Sequence, residues 1–173
     1  MGGNSKTIVF SSSITKDIDQ KKFNDRYTGG TARFQKFHGG RAKHMSSYLP
    51  THLVDECPDT TVVQVGGNDL PNKSLSINEI ADQVIKCGLI CQEFGVKNVL
   101  IGGITTRRPS YQQNRCKDLN YRLRGLCSAN NFTFIDNQKI KVEHLYDGVH
   151  LNETGQSILA NNYLDALWGV HTQ

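Results

Sequence analysis

Short β-branched runs alternate with helix-patterned segments along the whole chain, and that alternation narrows the available folds more than any other feature. The runs are Thr7–Phe10, Thr31–Phe37, Thr60–Val65, Lys97–Ile101 and Phe132–Ile135. A polar turn or helix is expected from Lys16. Arg41–Cys57 spaces Met45, Leu49 and Leu53 for a helix, with Pro50 expected to break or kink it. Ser76 reads as an N-cap, with Glu79 completing a capping box, for a helix that runs to about Phe94 and stops at Gly95. Ser110–Asn130 sets Cys116, Leu119, Leu123 and Leu126 on one side of a further helix. The last helix, about Glu153 to Trp168, carries Ile158, Leu159, Tyr163, Leu164 and Leu167. Such alternation predicts right-handed crossovers and a mostly parallel, five-stranded sheet between two layers of helices. The valine-rich run at Thr60–Val65 suits a strand covered on both faces. The 173 residues suit a single domain spanning residues 1–173.

Composition removes several classes. With 37% hydrophobic residues the chain builds a core without covalent staples, yet no apolar stretch approaches the roughly 18 residues of a membrane span. Met1-Gly2-Gly3-Asn4-Ser5 lacks the basic-then-apolar layout of a signal peptide, and Gly2 with Ser5 matches a myristoylation pattern poorly. Five cysteines, an odd number, then favour reduced thiols and a cytoplasmic location. Ile77, Ile80, Val84, Cys87, Cys91 and Phe94 form one helical stripe, so Cys87 and Cys91 are expected in the core rather than on a metal. Neither a metal nor a cofactor is expected.

Charge is uneven. Residues 1–50 carry nine Lys/Arg against three Asp/Glu, and 107–124 carry six against one, whereas 55–93 is acidic. Such asymmetry suits phosphates or an anionic membrane, but the interspersed spacing matches no RNA-binding motif, so nucleic acid ranks low as a partner.

Three distant segments supply complementary chemistry. Ser11-Ser12-Ser13 and Gly66-Gly67-Asn68-Asp69 each follow a predicted strand, and Asp147-Gly148-Val149-His150 precedes the last helix. In a parallel α/β sheet, ligands bind beyond the carboxyl ends of the strands, where these segments converge. A serine needs a base to take its proton, which His150 supplies, and the imidazole needs a carboxylate, which Asp147 supplies three residues earlier. Candidate oxyanion donors are the Ser13 N–H, an N–H at Gly39 or Gly40, and the Asn68 amide. Each segment alone also reads blandly, as a cap or a turn; together they point to acyl transfer. Arg107 and Arg108, after the fourth strand, are candidates to grip an anionic part of a substrate. Asp69 is expected to tie down its loop, and His38 and His44 to be structural or exposed.

A serine after the first strand, a glycine after the second, Gly66-Gly67-Asn68-Asp69 after the third and Asp147-Gly148-Val149-His150 before the last helix resemble the SGNH (GDSL-type) hydrolases. The order and spacing match along nearly the whole chain, with a weaker likeness to retroelement-encoded esterase domains. The resemblance implies a flavodoxin-like α/β/α fold and a metal-free Ser-His-Asp mechanism. Ser13 would be the nucleophile, His150 the base, Asp147 its partner, and Gly39 (or Gly40) with Asn68 the oxyanion donors. A small-molecule, lipid or carbohydrate ester would be the substrate, with a short acyl or acetyl group leaving. The first motif departs from the family's usual Gly-Asp-Ser, which keeps open a rival reading: a weakly active or inactive module that binds RNA or an anionic membrane. No G-x-S-x-G elbow occurs, which argues against the α/β-hydrolase fold proper.

Overall fold

In the computed structural model, which describes residues 5–172, all five strands of one sheet run parallel. The Met1-Gly2-Gly3-Asn4 opening, with the Gly2 of the acylation pattern, lies outside the described residues. The strands are β1 (Ser5–Ser11), β2 (Gly30–Lys36), β3 (Thr60–Gln64), β4 (Asn98–Gly102) and β5 (Thr133–Ile135). Their spatial order is β2-β1-β3-β4-β5, the flavodoxin-like order. The helices are α1 (Gln20–Arg26), α2 (Ala42–Glu56), α3 (Ile77–Glu93), α4 (Ser110–Asn130) and α5 (Glu153–His171).

The twofold period of the strands sorts their side chains into two cores. Ile8, Phe10, Val63, Val99 and Ile101 pack with Leu49 of α2, Val84 of α3 and Leu119 of α4. Val9, Val62 and Leu100 pack on the other face with Phe23 of α1 and with Leu159, Tyr163 and Leu167 of α5. The result is three layers, helices on both faces of a sheet. Cys87 and Cys91 are buried on α3, and burial pushes their thiols up to about 12 and about 11, so both behave as small hydrophobes. Among the described residues no helix is long and apolar enough to cross a membrane.

Pro50 neither ends nor interrupts α2, contrary to the sequence expectation. A mid-helix proline costs about 3 kcal/mol. Met45, Leu49 and Leu53 lie on both sides of it and are almost fully buried, each contributing roughly 1.5–3 kcal/mol. Packing outweighs the lost hydrogen bond. The helix begins at Ala42 rather than Arg41, and its cap is not local: Asp69 Oδ2 accepts the Ala42 N–H at 3.1 Å. Asp69 thus ties the β3 loop to the start of α2, as expected. For α3, Ser76 Oγ accepts the Glu79 N–H at 3.0 Å, the cap read from the sequence.

The order of strands also sets the position of a cleft. From β1 the chain winds outward through α1 to β2, then returns past β1 to β3 and continues to β4 and β5. The loops after β1 and β3 therefore depart in opposite directions and leave a crevice between them. Beneath it, buried Gln64 donates to Gly103 O at 3.0 Å and accepts from Tyr163 Oη at 2.7 Å and Asn137 Nδ2 at 3.4 Å. A Cβ on Gly102 would stand 1.9 Å from Gln64 Oε1, and the amide has no room to retreat without breaking that network. Gly102→Ala is therefore expected to lower stability by about 1–3 kcal/mol, read as a lower urea midpoint at unchanged m. An unchanged midpoint would show that the floor of the cleft yields freely.

Candidate active site

β1 stops at Ser11, and the chain turns at Ser12 into a 3-10 turn, Ser13–Thr15. The three serines then part company. Ser11 is fully buried and its hydroxyl is taken by Thr15, while Ser12 anchors the turn by donating its N–H to Gln64 O at 3.1 Å. Only Ser13 directs its hydroxyl to the imidazole, with Oγ 3.1 Å from His150 Nε2. These two residues are 137 positions apart.

The histidine arrives on a loop that shapes itself. Leu145 and Leu151 form an isolated antiparallel bridge, Tyr146 N–H donates to His150 O at 3.0 Å, and Gly148 takes a left-handed φ of 85°. Asp147 Oδ1 accepts the N–H groups of Val149 and His150 at 2.9 and 2.6 Å. Its Oδ2 faces His150 Nδ1 at 2.6 Å, which leaves Nε2 toward Ser13. Partial desolvation opposes ionisation of Asp147, but the His150 ring bond and the two backbone bonds outweigh it and hold the carboxyl well below the usual carboxylate range. Tyr146 stacks on the imidazole at 6.0 Å between centroids, and Lys16 Nζ lies 5.4 Å from the Tyr146 ring.

Asn68 sits in the second 3-10 turn, Gly67–Asp69, just after β3. Its Nδ2 donates to Gly40 O at 3.0 Å, and its Oδ1 accepts from Arg107 Nη2 at 2.8 Å. A guanidinium only donates and a carbonyl only accepts, so these partners fix which way the amide points. Its second N–H has no acceptor among the described residues. The pocket itself is lined by Ser12, Ser13, Asn68, Thr105, Arg107 and His150, among others. It admits the centre of a water-sized sphere over about 20 Å³, little more than one water needs.

Three of the expected donor and substrate-binding residues are absent from the pocket lining. Gly39 and Gly40 do not line the pocket. Gly39 is exposed with φ 68°, and the Gly40 N–H is already donated to Phe37 O at 3.0 Å, closing a turn that demands the left-handed residue. Arg107 reaches the pocket, but Arg108 does not: its N–H donates to Gly148 O at 2.9 Å and its guanidinium reaches Leu145 O at 3.5 Å, bracing the histidine loop. His38 and His44 are exposed. The Gln64–Tyr163–Asn137 network was not anticipated, since a polar residue at a strand end reads in sequence as the start of a loop.

The fold is that of the SGNH, or GDSL-like, hydrolases. A GDSL-like lipase from Bacteroides thetaiotaomicron superposes with a TM-score of 0.82 at 14% identity, covering 96% of this chain and 89% of that one. A lipase/acylhydrolase from Enterococcus faecalis gives 0.81 at 19% identity, covering 96% of each chain. An acetylxylan esterase from Geobacillus stearothermophilus gives 0.80 at 13% identity over 96% and 95%. Catalytic mutants of that esterase replace a serine, an aspartate and a histidine three residues after the aspartate. No family sequence model matches this chain, and no curated protein is significantly similar to it in sequence.

The Asp147 geometry has a measurable consequence. Its folded pKa lies below the unfolded value, so its stabilising contacts are fully present above the ordinary carboxylate range and are lost as pH falls through the depressed folded pKa. A carbon-detected NMR titration is expected to show the Asp147 carboxyl still ionised at pH values where free aspartate, at about 3.9, is half protonated. A midpoint at or above that value would mean the loop contacts are absent in solution.

Proposed function

We propose that the protein is an esterase-type serine hydrolase of the SGNH class that removes a short acyl group, acetyl foremost, from an oxygen ester. One observation carries the reading: Ser13 Oγ, the His150 ring and the Asp147 carboxylate are hydrogen-bonded in series beside a small pocket.

In the proposed cycle Ser13 Oγ attacks the ester carbonyl carbon as His150 Nε2 takes the hydroxyl proton. Asp147 holds Nδ1–H and stabilises the imidazolium. The carbonyl oxygen, now an oxyanion, is met by the free N–H of Asn68 and by the Ser13 N–H, for which no protein acceptor exists among the described residues. Collapse of the adduct breaks the ester C–O bond, and the alcohol leaves with the proton from His150. Water then gives a proton to His150 Nε2 and attacks the acyl carbon. Breakdown of the second adduct frees the carboxylic acid and returns the proton to Ser13.

The small pocket beside Ser13 supports a short acyl group, because it buries little of a longer chain. Acyl discrimination of more than about tenfold is expected for p-nitrophenyl acetate over butyrate in kcat/KM. Equal turnover of the two esters would contradict the small-acyl assignment. Ser13→Ala is expected to lower kcat by about 10⁴-fold or more, and Asp147→Asn by about 10³–10⁴-fold. Full activity in Ser13→Ala would remove the nucleophile. Only neutral imidazole accepts a proton, so kcat/KM should rise with pH along a single limb, because the Asp147 carboxyl is held ionised and adds no second one. A flat profile would exclude His150 as the base.

A further inference from the structure

Arg107 is the one strongly charged group in the pocket that the proposed cycle leaves idle. Its guanidinium is half-buried, lines the pocket, and makes one side-chain hydrogen bond among the described residues, to Asn68 Oδ1. No carboxylate among those residues lies within ion-pairing distance of it. Burial disfavours its charge, and the more distant fields of Asp147 and Asp69 work against that effect. Space for it is made by Gly67, where an added Cβ would meet Arg107 Nη2 at 3.2 Å. A partly desolvated cation without an anionic partner is unfavourable, and its one side-chain hydrogen bond, to Asn68, offsets only part of that cost.

We propose that Arg107 is a positioning residue of the oxyanion hole, orienting and polarising the Asn68 amide so that its free N–H points at the developing negative charge. This rests on the hydrolase reading above and deepens it. The chemistry follows from the bonding order. Arg107 donates to Oδ1, drawing electron density toward the oxygen and leaving the Asn68 N–H bonds more positive, a cooperative strengthening of the donor. Gly40 O takes one of the two amide hydrogens, so rotation about the amide is blocked from both sides. The need for such help is visible in the glycine segment. The Gly40 N–H is spent on Phe37 O, so that residue adds no backbone donor and the weight on Asn68 rises.

The test is a double-mutant cycle on neutral p-nitrophenyl acetate, which offers no anion for Arg107 to grip. Arg107→Met is expected to lower kcat by about 10²-fold with KM changed less than threefold, the scale of a misplaced catalytic group. Arg107→Lys should recover part of that loss, because it keeps a charged donor but not the planar fork. Asn68→Ala with Arg107→Met should be no slower than Asn68→Ala alone, since Arg107 acts through the amide. Urea midpoints close to wild type show that the variants are folded, and Arg107→Lys keeps the cycle readable if Arg107→Met is not. Additive losses in the double variant, or a kcat unchanged in Arg107→Met, would overturn the proposal while Ser13-dependent hydrolysis by the wild type still stands. Absence of Ser13-dependent hydrolysis in the wild type would overturn both readings.

Discussion

The shared direction of the five strands is the constraint on which the rest of the structure depends. Because every neighbouring pair in the sheet is parallel, every strand ends on the same rim. Ser13, Asn68 and Arg107 follow β1, β3 and β4, and all three reach one pocket although the chain visits them far apart. An antiparallel pairing at any of these steps would send one of them to the opposite side. The strand order adds the crevice, since the loops after β1 and β3 diverge at the point where the winding reverses.

Within that frame the site divides into a local part and a long-range part. The Asp147–His150 unit is built inside a single loop, by an Asx-type turn, a left-handed glycine and one bridge, so its geometry owes little to the rest of the molecule. Its meeting with Ser13 is another matter. It needs both cores to be packed, with α5 seated through Leu159, Tyr163 and Leu167, and the loop held against the end of β4 by Arg108. Tyr163 joins the two parts, because the side chain that anchors α5 also donates to Gln64 beneath the cleft. Stability and site geometry are therefore coupled through one buried hydroxyl.

What could be read from the sequence follows the range of the interactions involved. Strands and helices were legible because their periods are local: all five strands appear within a residue or two of the runs that announce them, and Ser110–Asn130 forms α4 over its whole expected length. Ser13, Asn68 and the Asp147–His150 loop were expected on one edge from strand topology, and they meet there. Three features were not legible. Pro50 reads as a break, and only the burial of its neighbours across the fold overrides it. The glycine pair reads as a donor, yet Gly40 spends its N–H on a turn that needs Gly39 at positive φ. Arg107 and Arg108 are adjacent and alike in sequence; the backbone sends one into the pocket and the other onto the histidine loop.

The central claim is that Ser13, not its buried neighbours, is the group that attacks. Treatment with a fluorophosphonate, followed by peptide mapping by mass spectrometry, tests it most directly, since the reagent bonds only to a serine activated by its surroundings. The account predicts one phosphonyl adduct, on Ser13, that forms far more slowly in His150→Ala. An adduct on Ser11 or Ser12, or no adduct on a folded protein, would contradict it.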